Sequence, residues 1–321
     1  MPNHLLKRRY RILSWIGQGG MGVVYKAEDL LFNQQLLAVK EMNTYGLPPE
    51  AIEAFEQEVF LLAQLSHPNL PRAYDYFYEA GSRYLVMDFI EGESLEQYLL
   101  KVPDGRLPLK EALHLGIKLC DVLHYLHSHE PSIIFRDLKP ANIMRTSGGE
   151  IFLIDFGLAG FFDPGKDRDS MAYGSLGYAA PEQFGQLTTP QSDIYSLGAL
   201  LHQLLSGCEP ATGTPDLFAF PPLMNVPTAL KRLVERMVQM DAANRPGSVL
   251  AVRQELQRIA LVQELQQLAH LLAGRSLPPA PPPASGPAEA AKQRRPSLSQ
   301  LLTRPWTAKR VQRSDFSGVA G

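Results

Sequence analysis

The sequence predicts a two-lobed α+β fold, with a small β-rich lobe carrying one main helix ahead of a larger α-helical lobe. Three observations predict it. From residue 10 to residue 87, the runs YRILSWIG, GVVYKAE and LLAVKEM are short, branched or aromatic and separated by turn residues, as strands are. One helical segment interrupts them: between Pro49 and Leu65 the apolar residues Ile52, Phe55, Val59, Leu62 and Leu65 recur at three and four positions, which puts them on one helix face. Beyond Asp88-Phe89-Ile90 the pattern turns helical, in ALHLGIKLCDVLHYLHSH, SDIYSLGALLHQLLSG and ALKRLVERMVQM. A chain of 321 residues, 45% hydrophobic, is long enough to bury a large core as two domains or one two-lobed unit.

In chain order, the first two strands enclose Ile16, Gly17, Gln18, Gly19, Gly20, Met21, Gly22, Val23 and Val24. Glycines spaced this way let backbone amides approach phosphates without side chains intervening. Alone, the pattern also describes an ordinary glycine-bearing hairpin, and a dinucleotide-binding turn fits poorly because a strand follows Gly22. Lys40 ends the next strand, so its ammonium emerges beneath that loop, and Glu58 on the helix supplies a carboxylate partner. Residues 135 to 146 read FRDLKPANIMRT, and eighteen positions after Asp137 comes Asp155-Phe156-Gly157. Two acids at this spacing, with Lys139 and Asn142 between them, are the chemistry of moving a phosphate. Asn142 and Asp155 offer hard oxygen ligands suited to Mg2+. A carboxylate is a feeble base, so the main task of Asp137 is to orient a substrate hydroxyl, while Lys139 neutralises charge on the moving group. Capping or turn formation explains such Asp and Asn residues when they occur singly.

The ordered set, completed by Ala180-Pro181-Glu182, resembles the protein kinases, and most nearly the bacterial serine/threonine kinases of the eukaryotic type, whose glycine loop often reads GxGGMGxVY. The resemblance covers about residues 10 to 260 and implies ATP and Mg2+ as cofactors and proteins bearing serine or threonine as substrates. It implies that Lys40 holds the α- and β-phosphates, that Glu58 orients it, and that Lys139 accompanies serine/threonine specificity. Ala38 and Met144 would form the roof and floor of an adenine site, Met87 would flank it, and backbone groups of Asp88 to Ile90 would meet the base. Glu182 should pair with Arg245, and Asp193 should hold the backbone of the catalytic loop. Arg136 commonly awaits a phosphate on the segment from Asp155 to Glu182, whose hydroxyls are Ser170, Tyr173, Ser175 and Tyr178. Ser175 matches the residue that contacts the catalytic loop, which leaves Ser170 as the regulatory candidate. The departure is Phe135, where most relatives have histidine; phenylalanine keeps stacking with Phe156 and Leu62 but loses a hydrogen bond. A rival reading, a scaffold that keeps the fold without catalysis, meets the objection that Lys40, Asp137 and Asp155 are all intact. Phosphorylation of a small molecule is disfavoured by the Ala180-Pro181-Glu182 segment.

The net charge of -2 is unevenly spread: from Gly274 onward there are 8 Lys and Arg against 2 Asp and Glu, and before it 23 against 31. An acidic body makes nucleic-acid binding a poor expectation. Two cysteines, Cys120 and Cys208, both within helical patterns, offer no disulfide framework and fit a cytoplasmic setting. No run reaches the ~18 apolar residues that span a bilayer, so any sensing is expected through the tail or a soluble partner. The expected organisation is an extension at 1–9, a catalytic domain at 10–262 with lobes at 10–87 and 91–262, a helical extension at 263–275 whose apolar spacing runs on from Leu256 and Ile259 through Leu265, Leu268 and Leu272, a Pro/Ala-rich linker at 276–291, and a basic tail at 292–321. That tail, a possible docking site for a protein partner, contains Arg294-Arg295-Pro296-Ser297. Such a motif suits a basophilic kinase, but Ala141 stands where those kinases often place a glutamate.

Overall fold

The computed structural model describes residues 4–19, 22–45, 49–163, 165, 174–185, 187–211 and 218–273. Gly20, Met21, Ser170 and everything from Gly274 onward therefore lie outside the described residues.

The small lobe is a six-stranded antiparallel sheet built from β1 (Leu5–Leu6), β2 (Tyr10–Gly19), β3 (Gly22–Asp29), β4 (Gln35–Asn43), β5 (Ala73–Glu79) and β6 (Ser82–Asp88), in the order β1-β2-β3-β4-β6-β5. Helix α1 (Pro49–Gln64) crosses between β4 and β5 in the chain. Along β4, Leu37, Ala38, Val39 and Lys40 are all buried, as a central strand requires, and Leu37 and Val39 join Ile12, Ala27 and Val86 in one apolar cluster. The predicted face of α1 divides: Phe55, Leu62 and Leu65 are buried, whereas Ile52 and Val59 are only partly covered. Residues 5–9, expected as an extension, are tied to this lobe. Leu5 and Leu6 pair with β2, and Lys7 bonds Asp75 at 2.8 Å.

The large lobe contains α2 (Leu95–Leu99), α3 (Leu109–His127), α4 (Pro190–Ser206), α5 (Thr228–Met237) and α6 (Val249–Ala273). Helix α4 is buried nearly all round, and Gly198 lets α5 approach it so closely that a Cβ there would lie 2.7 Å from the Cβ of Met237. Two small sheets frame the site: β7 (Gly92–Ser94), β9 (Ile143–Thr146) and β10 (Ile151–Leu153) in the order β10-β9-β7, and β8 (Ile133–Ile134) with β11 (Gly160–Phe161). Residues 135–142 thus span β8 to β9, and Asp155 lies between β10 and β11. One apolar cluster runs from Met42 and Phe55 of the small lobe through Phe135 and Phe156 to the helices of the large lobe.

Two expectations are corrected. Cys208 lies two residues beyond the end of α4 and is exposed, because Gly207 ends that helix in a left-handed conformation at φ 76°. The apolar spacing of α6 is not one stripe: Leu256 and Ile259 are buried, but Leu265, Leu268 and Leu272 are exposed. The six-residue step from Ile259 to Leu265 turns the helix by about 240° beyond a full turn, onto another face.

Candidate active site

Strand order dictates where the small-lobe groups sit. β2 and β3 close on each other with Gly17 opposite Val24 and Gly19 opposite Gly22. Gly22 has φ 141°, and a side chain there would collide with the Glu41 carbonyl, so the turn requires glycine. Around Gly17 the space is open. Contrary to the sequence expectation, Lys40 does not end its strand, because β4 runs on to Asn43; it lies opposite Val24 of β3.

The Lys40 ammonium donates to Glu58 Oε1 at 2.8 Å and Oε2 at 2.6 Å, and to Asp155 Oδ1 at 3.0 Å. Burial alone would lower its pKa, but the two carboxylates outweigh burial and raise it above the ordinary value. Burial pushes Glu58 up against the pull of Lys40. Partial desolvation would lift Asp155 too, yet Lys40 reverses this and holds it below the usual range. The Asp155 side chain stays 46% exposed and so offers oxygen to the cleft.

The large-lobe groups form a second network. Asp137 Oδ1 accepts from the Ser175 hydroxyl at 2.8 Å, and Oδ2 accepts from Asn142 Nδ2 and the Lys139 ammonium, each at 2.9 Å. Lys139 also donates to Ser175 Oγ at 2.6 Å. Asn142 gives its amide nitrogen to both the side chain and the backbone carbonyl of Asp137, which turns its Oδ1 away from them. The free oxygen of Asn142 and the half-exposed carboxylate of Asp155 are hard donors of the kind that suits a magnesium ion keeping water and phosphate ligands. Among the described residues, no group of three or more His, Cys, Asp or Glu side chains could hold a metal.

This loop hangs from α4. Asp193, fully buried, accepts the backbone N–H of Phe135 at 2.9 Å and of Arg136 at 2.8 Å, and contacts His127 Nε2 at 2.8 Å. Arg136 has φ 68°, and its carbonyl accepts from Gln183 Nε2 at 2.8 Å while its Nε donates to Thr188 at 2.8 Å. Glu182 and Arg245 form a double bridge at 2.6 and 2.9 Å. Phe135 meets Phe156 edge-on, with centroids 5.2 Å apart, and both are fully buried in the cluster that holds Leu62.

The adenine-site candidates are less concentrated. Ala38 lies between Lys26 and Met87 on the neighbouring strands, and Met144 between Ser94 and Phe152 on the lower sheet. Ile16 is exposed; Val23, Val24, Met87, Asp88 and Ile90 are partly buried. The Asp88 amide is already donated to the Arg72 carbonyl at 3.0 Å, so it is not available to a base. Sequence reasoning did not select His127, Gln183 or Thr188. Gln183 and Thr188 bond Arg136 of the catalytic loop and His127 bonds Asp193, which holds that loop; only the final turn of α3, with His124 and His127 in it, carried any local signal.

The protein kinase domain family model matches residues 10–257. The chain belongs to the protein kinase family. Its kinase domain is 34% identical over 252 residues to the probable serine/threonine-protein kinase PknB of Lactococcus lactis, covering 74% of this chain and 40% of that protein. It is 37% identical over 208 residues to the serine/threonine-protein kinase PrkC of Bacillus subtilis (64% and 31%), and 32% identical over 256 residues to PknA of Mycobacterium tuberculosis (75% and 58%). The chain therefore spans less than two thirds of the length of these relatives. Kinases of this family use ATP and Mg2+ in general. The curled sheet and helical lobe of the kinase domain are the bilobal fold that the sequence predicts, and no helix among the described residues is long and apolar enough to cross a membrane.

Proposed function

We propose that this chain transfers the γ-phosphoryl group of ATP to serine or threonine hydroxyls of proteins, in bacterial signalling and in the cytoplasm, where ATP is supplied. One observation carries the reading: Asp137, Lys139, Asn142 and Ser175 share one hydrogen-bond network, while Lys40 joins Glu58 to Asp155. The catalytic unit is taken as residues 10–262, with 292–321 as a docking or regulatory tail.

In this reading the backbone of the loop from Ile16 to Val24 covers the phosphates and Lys40 binds the α- and β-phosphates, its orientation set by Glu58. Ala38, Met87 and Met144 enclose the adenine, and the Asp88 carbonyl with the backbone through Ile90 meets its edge. Magnesium, bound by Asn142 and Asp155, would neutralise phosphate charge. Asp137 accepts a hydrogen bond from the substrate hydroxyl, in the place now taken by Ser175, and aims its oxygen at the γ-phosphorus. As the new O–P bond forms, the bond to the β-phosphate oxygen breaks. ADP leaves, and the hydroxyl proton passes to Asp137 or solvent. Lys139 offsets charge on the moving group. In this reading Arg136 is the partner for a phosphate on Ser170, which would add about -1.5 to -2 charge.

The test is magnesium-dependent release of ADP with a generic protein substrate, compared with Asp137→Asn. The expected result is turnover reduced by about a hundredfold or more in the variant. Equal turnover in the two proteins, or none in the wild type after activation, would overturn the assignment.

A further inference from the structure

Helix α6 has two apolar faces. Its first half buries Val249, Val252, Leu256 and Ile259 against the large lobe. From Leu261 onward the positions that continue this face are polar, Gln263, Gln267 and His270, and the leucines move to the other side. Leu261, Leu265, Leu268 and Leu272 follow at spacings of four, three and four, and at about 100° per residue they form a stripe roughly opposite the buried face. They are 57%, 56%, 55% and 68% exposed, with Val262 and Leu271 beside them at 44% and 68%. The inner face of this stretch stays beside α3, where Gln263, Glu264 and Gln267 line a cavity with Leu113 and Ile117, so the leucine stripe is the face left uncovered among the described residues.

We propose that this outer face of α6 is a self-association surface on which two copies of the chain pair helix to helix. Two observations favour a second copy. The stripe and its two flanking residues expose about 600 Å² per helix, so a symmetric pair could remove up to about 1,200 Å² from water, which reaches the lower bound of stable specific interfaces. Charge does not oppose it: of the residues flanking the stripe from Val262 to Leu271, only Glu264 is charged, and Glu264 lies 3.8 Å from Lys110 of its own chain. A four-three-four leucine spacing is the seam on which identical helices interdigitate, and the isologous pairing closes as a dimer rather than a chain. This inference does not depend on the phosphotransfer reading.

Sedimentation velocity on the full chain at about 50 µM tests it, since an interface at this lower bound is expected in the micromolar range. The expected result is a dimer for wild type and a monomer for Leu265→Glu/Leu268→Glu, with the dissociation constant raised by about a hundredfold or more and the melting temperatures equal once both are diluted to monomers. Leu265→Gln, which keeps helix propensity, should weaken pairing about tenfold in the same direction. A wild-type chain that stays monomeric overturns the proposal; if amides 261–272 are nonetheless protected from hydrogen exchange, the occupant is the chain's own tail. A dimer that both variants leave intact overturns it as well.

Discussion

Helices α1 and α4 each deliver one buried carboxylate that positions the site, and the two helices are held in opposite ways. Of the 17 residues of α4, 13 are buried, and Asp193 sits among them; of the 16 residues of α1, only Phe55, Glu58, Leu61 and Leu62 are buried. Asp193 is therefore fixed by the core of the large lobe, and the loop it holds is fixed with it. Glu58 is held chiefly by Lys40, with a shallow apolar face behind it. The comparison teaches that the large-lobe half of the site is part of the fold, whereas the small-lobe half is a contact that can be made or broken by moving one helix.

The sharpest way to break that contrast is Asp193→Ala. It leaves the buried N–H groups of Phe135 and Arg136 without their acceptor, at about 1–3 kcal/mol each, so stability should fall by about 3–5 kcal/mol and phosphotransfer should be lost with it. Thermal unfolding checks this, with a drop of roughly 10 °C expected for a domain this size. If Asp193→Ala melts like the wild type, the loop is not held from α4.

Glu58→Gln should do the reverse. Glutamine keeps a hydrogen bond to Lys40, and Lys40 keeps Asp155, so the expected stability change is under about 1 kcal/mol. Loss of the charge that orients the lysine should lower kcat by about ten- to a hundredfold, or about 1.4–2.7 kcal/mol in the barrier. Equal losses of stability and rate would erase the distinction between the two helices.

A smaller effect sharpens it through pH. Burial would raise the Glu182 carboxyl, but Arg245, Ser192 and the local backbone lower it below its ordinary 4.5. A depressed folded pKa means that the unfolded chain takes up the proton first on acidification. The contribution of this pair is then complete above about pH 4.5 and is lost as pH falls through the folded value. Wild type should exceed Glu182→Gln in stability at pH 7, and the difference should shrink below pH 4.5. A gap constant between pH 7 and pH 3 would mean that the bridge does not hold the carboxylate charged.

Much of this was legible in the sequence because it is local or carried by spacing. The branched and aromatic runs of β2 to β4, the helix that brings Glu58 toward Lys40, and the short distances among Asp137, Lys139 and Asn142 all follow from composition, periodicity or a few residues of chain. His127, Gln183 and Thr188 were not legible, since the contact of His127 with Asp193 and those of Gln183 and Thr188 with Arg136 depend on how α3, α4 and the segment 181–189 stack. The course of α6 was misread for a related reason. A run of leucines at helical intervals reads as one stripe until the phase across Ile259 to Leu265 is followed around the helix.

Phe135→His gives the smallest expected effect and the closest test of how rigid the large-lobe half is. The Phe135 ring is fully buried and meets Phe156 edge-on, a contact worth about 0.5–1.5 kcal/mol beyond burial. Phe135→Ala should cost about 3–5 kcal/mol by leaving a cavity between the loop and Phe156. Phe135→His keeps most of the volume but brings two ring nitrogens into an apolar site, which costs about 1 kcal/mol if one of them finds a partner. Because the backbone of residue 135 is held by Asp193 and not by its side chain, the loop should keep its place and phosphotransfer should stay within about threefold. A tenfold gain in kcat on Phe135→His would mean instead that the phenylalanine restrains the site, and that the loop depends on its side chains more than on α4.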